Sequence, residues 1–225
     1  MFDTVAALAL LQYGDSAFPA GGFAFSWGVE GLAADGHLPG PDALDQLIAD
    51  HLTFRWASMD RPLLCRAYSA ESLDAIASID RLAEAMTPSA QLRDGSHRAG
   101  RALLGIAVRL GGASSTGYRA YVATDPRLGH LPVVQALALR DAGLDLPAAQ
   151  LLSGWTLVTG LVSAAVRLGS IGHVEAQQAL TAARPVLADL LANDLPDDLL
   201  PSSFTPLIDI AVTRGPSRHV RMFAT

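Results

Sequence analysis

This sequence predicts an all-α fold, a single-domain bundle of roughly eight to ten helices with no sheet. Three observations lead there. Half of the 225 residues are hydrophobic but only 6% are aromatic, so Ala, Leu and Val must fill the core, a balance that favours helix over strand. Apolar residues recur three and four positions apart through most of the chain. No run of alternating β-branched residues is long enough for a sheet. One domain is the default at this length, and no internal repeat divides it.

From the N-terminus, residues 4–12 (TVAALALLQ) are apolar nearly all round and predict a buried first helix. DSAFPAGGFAFSWGVE at 15–30 interrupts the helix, with Gly21 and Gly22 placed between Pro19 and the aromatics Phe23, Phe25 and Trp27. Helix resumes over 26–32 and ends at Gly36. Pro39-Gly40-Pro41 is a turn, and Asp42 starts a helix with Leu44, Leu47, Ile48 and Leu52 on one face. Asp60 and Pro62 predict a cap and first turn for the next helix, through Leu64 and Tyr68. Thr87-Pro88 opens another, which Gly111-Gly112 closes. Within it Leu92, Ser96, Ala99, Leu103, Ile106 and Leu110 make the seam of one helix along another. Arg93, His97 and Arg101 form a second line that predicts a solvated face.

A short helix around Tyr118 to Val122 stops before Pro126. Further helices are expected over 130–142, 147–168 and 174–191, with Gly143 and Gly169 ending the first two. Pro196 and Pro201 bracket an acidic turn. A last helix over 206–212 leads into the tail TRGPSRHVRMFAT. Residues 1–210 are expected to form the domain and 211–225 a flexible tail.

Residues 148–166 carry no charge and are long enough to cross a bilayer. Gln150, Ser153, Thr156, Thr159 and Ser163 dilute the run, so the expectation is the central helix of a soluble bundle, without a membrane partner. Thr156, Gly160 and Ala164 set a small residue at every fourth position, which lets a second backbone approach closely. That backbone is either a helix of the same chain or a second subunit.

Several chemistries are excluded. All 16 basic residues are arginine, so the chain has no Walker A lysine and no lysine Schiff base. A net charge of −6 argues against nucleic acid as a partner. Cys65 is alone, which rules out an internal disulfide and a zinc finger and fits a reducing, cytoplasmic setting. The N-terminus carries Asp3 and no Arg before Arg55, a poor signal peptide. His37, His51, His97, His130, His173 and His219 form no HExxH or HxH pattern, so surface or capping roles are expected rather than metal ligation. Gly21-Gly22 follows no strand and is not a dinucleotide fingerprint. Those glycines either reach positive φ while the aromatics plug the core, or they border a pocket in a helical ligand-binding protein or enzyme. No catalytic residue and no cofactor is expected.

Five segments, in order, resemble the UreF-type urease accessory proteins. DSAFPAGGF with Gly28-Val29-Glu30 resembles the family's N-terminal signature, and RAGRALLG at 98–105 its middle helix. LGHLPVVQALALRDAGL at 128–144 is similar to the GHxPVVFG-type helix, and GLVSAAVRLGSIGHVEAQQAL at 160–180 to a helix-turn-helix of the family. PLIDIAVTRGPSRHVRMF at 206–223 resembles its C-terminal segment. The chain departs from the family pattern at Phe25, Trp27, His173, His219 and the run Thr213-Arg214-Gly215-Pro216.

The resemblance implies an all-α, non-catalytic, cytoplasmic protein that forms a homodimer. It would bridge a UreD/UreH-type accessory protein and a UreG-type GTPase, in an assembly that delivers nickel to the urease apoprotein. It further implies that Gly21 and Gly22 turn the chain so that Phe23, with Glu30 beyond it, faces the GTPase. Arg214, Arg221 and Phe223 would meet the UreD/UreH-type protein and order the tail on binding. Thr156, Gly160 and Ala164 would serve the dimer or a close helix contact.

Overall fold

The computed structural model describes residues 3–20, 25–38, 40–196, 198–214 and 222–223, and among them every regular element is helical. The helices are α1 (Thr4–Gly14), α2 (Val29–Ala34), α3 (Pro41–His51), α4 (Arg61–Ser69), α5 (Leu73–Met86) and α6 (Ala90–Arg109). They continue with α7 (Ala113–Thr124), α8 (Leu131–Asp141), α9 (Leu146–Arg167), α10 (His173–Ala192) and α11 (Pro206–Thr213). A π-helical stretch, Leu52–Asp60, joins α3 to α4 without a break, so the described residues make ten helical rods and no strand.

That long rod corrects the boundary expected at Asp60. Asp60 is itself helical, with φ −68° and ψ −42°, and its side chain caps nothing. Pro62 lacks the N–H that would bond the preceding turn, and a wider turn accommodates the loss. The Arg61 amide reaches back to the Trp56 carbonyl. The Phe54 and Ser58 carbonyls accept the Phe204 and Ser202 amides, both at 2.9 Å, which straps the segment before α11 onto the rod.

Helix α8 is the hub. Seven of its eleven residues are buried, and α4, α6, α7 and α9 surround it. Helix α9 serves two cores: Ala149 and Leu152 pack with α4, α5 and α8, whereas Val158, Leu161, Val162, Ala164 and Ala165 pack with α2, α3, α10 and α11. Its uncharged sequence follows from burial on both sides. The helix is long and apolar enough to span a membrane by composition, yet half of that window is buried inside the protein.

Three expectations need revision. Helix α1 buries no residue, and Val5, Leu8 and Leu11 stand 75%, 60% and 71% exposed. Ala6, Ala9, Leu10 and Tyr13 pack inward, and among the described residues no element covers the opposite side. The α6 seam holds for Leu92, Ser96, Ala99 and Leu103 but rotates off by Leu110, which is exposed. Helix α5 goes unannounced by the periodicity because its buried stripe of Ile76, Ala77 and Ala83 also contains Asp80.

At the other end of the chain Ala211 and Val212 complete α11 and are buried. Phe223 is 5% exposed and belongs to the same core as α2 and α9.

Candidate functional site

The described members of the two sets expected to face partners, Glu30 in one and Arg214 and Phe223 in the other, lie where α2 meets α11 and the chain end. The turn into α2 is tight: Trp27 has φ +52° and Gly28 φ +93°, both left-handed, a strained state for Trp and a free one for Gly. A Cβ on Gly28 would lie 2.8 Å from Ile208 Cγ2, and one on Gly31 would lie 2.7 Å from the Ala211 carbonyl oxygen. This glycine pair, one turn apart, lets α11 lie directly on α2.

Glu30 sits between them and is only 9% exposed. Its carboxylate accepts the Met222 amide and so holds the chain end against α2. Beside it the Arg167 guanidinium covers the Phe223 ring at 4.1 Å, a cation–π contact. Arg214 pairs with Asp35 at 3.6 Å and joins the end of α11 to the end of α2. Phe204, Leu207 and Ile210, spaced by three, are 75%, 60% and 47% exposed along the same segment. Gly21, Gly22, Phe23 and Arg221 lie outside the described residues.

The small-residue ridge of α9 divides in two. Ala164 is fully buried, whereas Thr156 and Gly160 face a cleft of about 680 Å³, and a Cβ on Gly160 would meet no atom within 4 Å. The tightest point on α9 is Gly154, where a Cβ would lie 2.5 Å from Leu187 Cδ1 and 3.0 Å from the Trp56 ring.

The same cleft is lined by polar groups that the sequence did not bring together. Arg55 and Asp60 pair at 3.6 Å, and burial raises the Asp60 pKa against the opposing pull of Arg55. His51 is 1% exposed, and the Trp27 backbone is the polar group that favours its charged form. Burial, and then the Arg55 charge, push its pKa from 6.5 down to about 3. The unfolded chain therefore takes up a proton below pH 6.5 that the native chain refuses, and native stability falls as pH falls. Between pH 7 and 5 that single group destabilises the fold by about 2 kcal/mol. Urea unfolding at both pH values should show His51→Leu gaining about 2 kcal/mol on the parent chain over that interval. A gap that does not change with pH would rule out a buried neutral His51.

Two further polar clusters lie where α5, α6 and α8 meet. Asp80, fully buried, accepts the Gly129 amide at 2.6 Å, the His130 amide at 3.0 Å and the Tyr118 hydroxyl at 2.6 Å. Burial raises its pKa, opposed by those same three hydrogen bonds. One turn on, Glu84 Oε2 lies 3.0 Å from His97 Nε2 and 2.9 Å from His130 Nε2. Arg93 Nε approaches Glu84 Oε1 at 3.3 Å. Burial alone would raise the Glu84 pKa, but the hydrogen bonds to His97 and His130 outweigh it and hold the carboxyl below its usual value. Burial and the neighbouring His97 push His130 down to about 4.

The line Arg93, His97 and Arg101 is therefore solvated only in part: Arg101 is exposed, whereas Arg93 and His97 are half-buried. Arg93 donates to the Thr87 and Pro88 carbonyls, and Arg101 to those of Pro126 and Leu128. His51 and His130 are likewise buried, not surface, histidines. Residues 13 and 46 positions from Glu84 come together at its carboxylate, a spacing that no local motif registers.

Comparison with known proteins gives a consistent picture. The UreF family model matches residues 39–184. The urease accessory protein UreF of Ruegeria sp. (strain TM1040) is 34% identical over 221 residues, covering 97% of each chain. The UreF proteins of Cereibacter sphaeroides (strain KD131 / KCTC 12085) and Trichodesmium erythraeum (strain IMS101) are each 31% identical. They cover 99% and 96% of this chain, and 100% and 96% of their own lengths.

Proposed function

The chain belongs to the UreF family of urease accessory proteins, and from that premise we propose that it is a non-catalytic scaffold for nickel delivery to apo-urease. In this reading it works in the cytoplasm as a homodimer and bridges a UreD/UreH-type protein and a UreG-type GTPase. Binding free energy would favour one conformation of the GTPase, so that nucleotide state and nickel release become linked to assembly. The observation that carries the reading is family membership over nearly the whole length.

The geometry of the α2–α11 face supports a division of labour. Gly21, Gly22 and Phe23 lead into α2 and are assigned to the GTPase, with Glu30 at the base of that segment. Arg214, Arg221 and Phe223 are assigned to the UreD/UreH-type protein, Phe223 by anchoring the chain end in the core, and the exposed Phe204, Leu207 and Ile210 lie along the α11 segment. The Glu30–Met222 hydrogen bond ties the two segments together, so occupancy of one can be felt at the other. Thr156 and Gly160 are assigned to the dimer contact, with Ala164 buried behind them.

Co-purification tests this. A tagged chain should capture both partners, Phe23→Ala should lose the GTPase, and Arg214→Ala with Arg221→Ala should lose the UreD/UreH-type protein. Point changes serve better than removing residues 212–225, since Val212 and Phe223 are core residues whose loss would itself lower the melting temperature. Failure of the parent chain to capture either partner would overturn the scaffold. The cleft beside Tyr13 and Phe18 favours a second reading, a helical ligand-binding protein, which metabolite or nucleotide binding by the isolated chain would establish.

A further inference from the structure

We propose that Glu84, His97 and His130 bind one divalent first-row transition cation of the kind that imidazole nitrogen suits, such as Ni2+, Zn2+ or Co2+. Two imidazoles and one carboxylate form a donor set that selects these ions over Mg2+ or Ca2+, which prefer all-oxygen sites.

Three pieces of chain deliver the donors: α5 carries Glu84, α6 carries His97, and His130 is the residue that precedes α8. The donor atoms all lie within 4.8 Å of one another. A metal about 2.1 Å from each donor places ligands that subtend a right angle about 3.0 Å apart. The two Nε2–Oε2 separations, 3.0 and 2.9 Å, already match that edge. The imidazole rings stack at 3.9 Å with a 40° tilt, so both nitrogens point to one side.

The surroundings are those of a supported site. His130 Nδ1 lies 3.2 Å from Ser96 Oγ, and Arg93 steadies the other Glu84 oxygen, contacts that fix the orientation of the ligands. His97 Nδ1 is buried and has no hydrogen-bond partner among the described residues, so that ring is oriented through Nε2 alone. Access is from one side: the His130 side chain is 1% exposed, His97 12% and Glu84 26%. A single carboxylate, with Arg93 close by, gives a site of moderate strength suited to exchange rather than permanent structure. Without metal, an Nε2–H group donates to Glu84 at each edge, so metal binding requires each neutral imidazole to carry its proton on Nδ1 instead.

The proposal rests on this geometry alone, and its failure would leave the scaffold reading untouched. The full chain should take up one Co2+ by equilibrium dialysis, with visible d–d bands that Zn2+ abolishes. Paramagnetic shifts should reach the His97 and His130 ring resonances. His97→Gln, whose amide can still donate to Glu84, should fold by circular dichroism and bind Co2+ about 10- to 100-fold more weakly. Glu84→Gln should do the same, whereas changing the exposed His37 and His173 to Gln should leave the affinity unchanged. No saturable uptake, parent-like affinity in His97→Gln or Glu84→Gln, or unmoved His97 and His130 resonances in the parent chain would each overturn the assignment. The resonance measurement decides the matter even if neither variant folds.

Discussion

Asp80→Ala should remove about 3 to 5 kcal/mol of folding stability, measured as a shift in the urea midpoint at unchanged m. One buried carboxylate accepts three donors, the Gly129 and His130 amides and the Tyr118 hydroxyl. Alanine would leave all three buried without an acceptor, at about 1 to 3 kcal/mol each. Relief of the buried charge offsets part of this, since the raised Asp80 pKa marks a carboxylate that burial disfavours. The bonds still win because they close the 125–130 loop onto α5 and set the start of α8, the hub of the fold. Asp80→Asn, which keeps one acceptor oxygen but turns an NH2 toward the other amide, should lose less than Ala. Equal losses for Ala and Asn would show that the charge, not the acceptor geometry, does the stabilising.

The same residues explain what was legible in the sequence. Helices with local signals, such as Thr87-Pro88 before α6 and Gly143 and Gly169 behind α8 and α9, could be placed because breakers act within a few positions. The α2–α11 face was reached through motif resemblance, since nothing local says that Glu30 will meet Met222 across 192 residues. Asp80 hid α5 because a carboxylate on a buried stripe breaks the apolar period, and only a tertiary partner 49 positions away accounts for it. Val5, Leu8 and Leu11 misled in the opposite sense: an all-round apolar helix reads as buried whether its cover is the same chain or another molecule. Helical glycines were silent for a related reason. Gly31, Gly100 and Gly154 look like mere weak points in a helix until the backbone or side chain pressed against each is known.

Gly100→Ala carries that point to a measurable result. In an exposed helix the change would stabilise by about 0.5 to 1 kcal/mol through backbone entropy. Here a Cβ would overlap the Gly129 carbonyl oxygen and lie 2.9 Å from both the His130 carbonyl carbon and the Leu131 nitrogen. These are backbone atoms, which cannot rotate aside, so the loop must move away from α6. The displaced peptides are the ones whose amides Asp80 holds from the opposite side, at 2.6 and 3.0 Å. Overpacking and the loosened Asp80 bonds together should destabilise the fold by about 3 kcal/mol or more. Because both changes act on the Gly129–His130 peptides, the double variant Asp80→Ala, Gly100→Ala should fall short of the sum by at least about 1 kcal/mol. Strict additivity in that cycle would mean that α6 and α5 grip the loop independently. A stabilised Gly100→Ala would mean that α6 and the start of α8 do not pack this closely in solution.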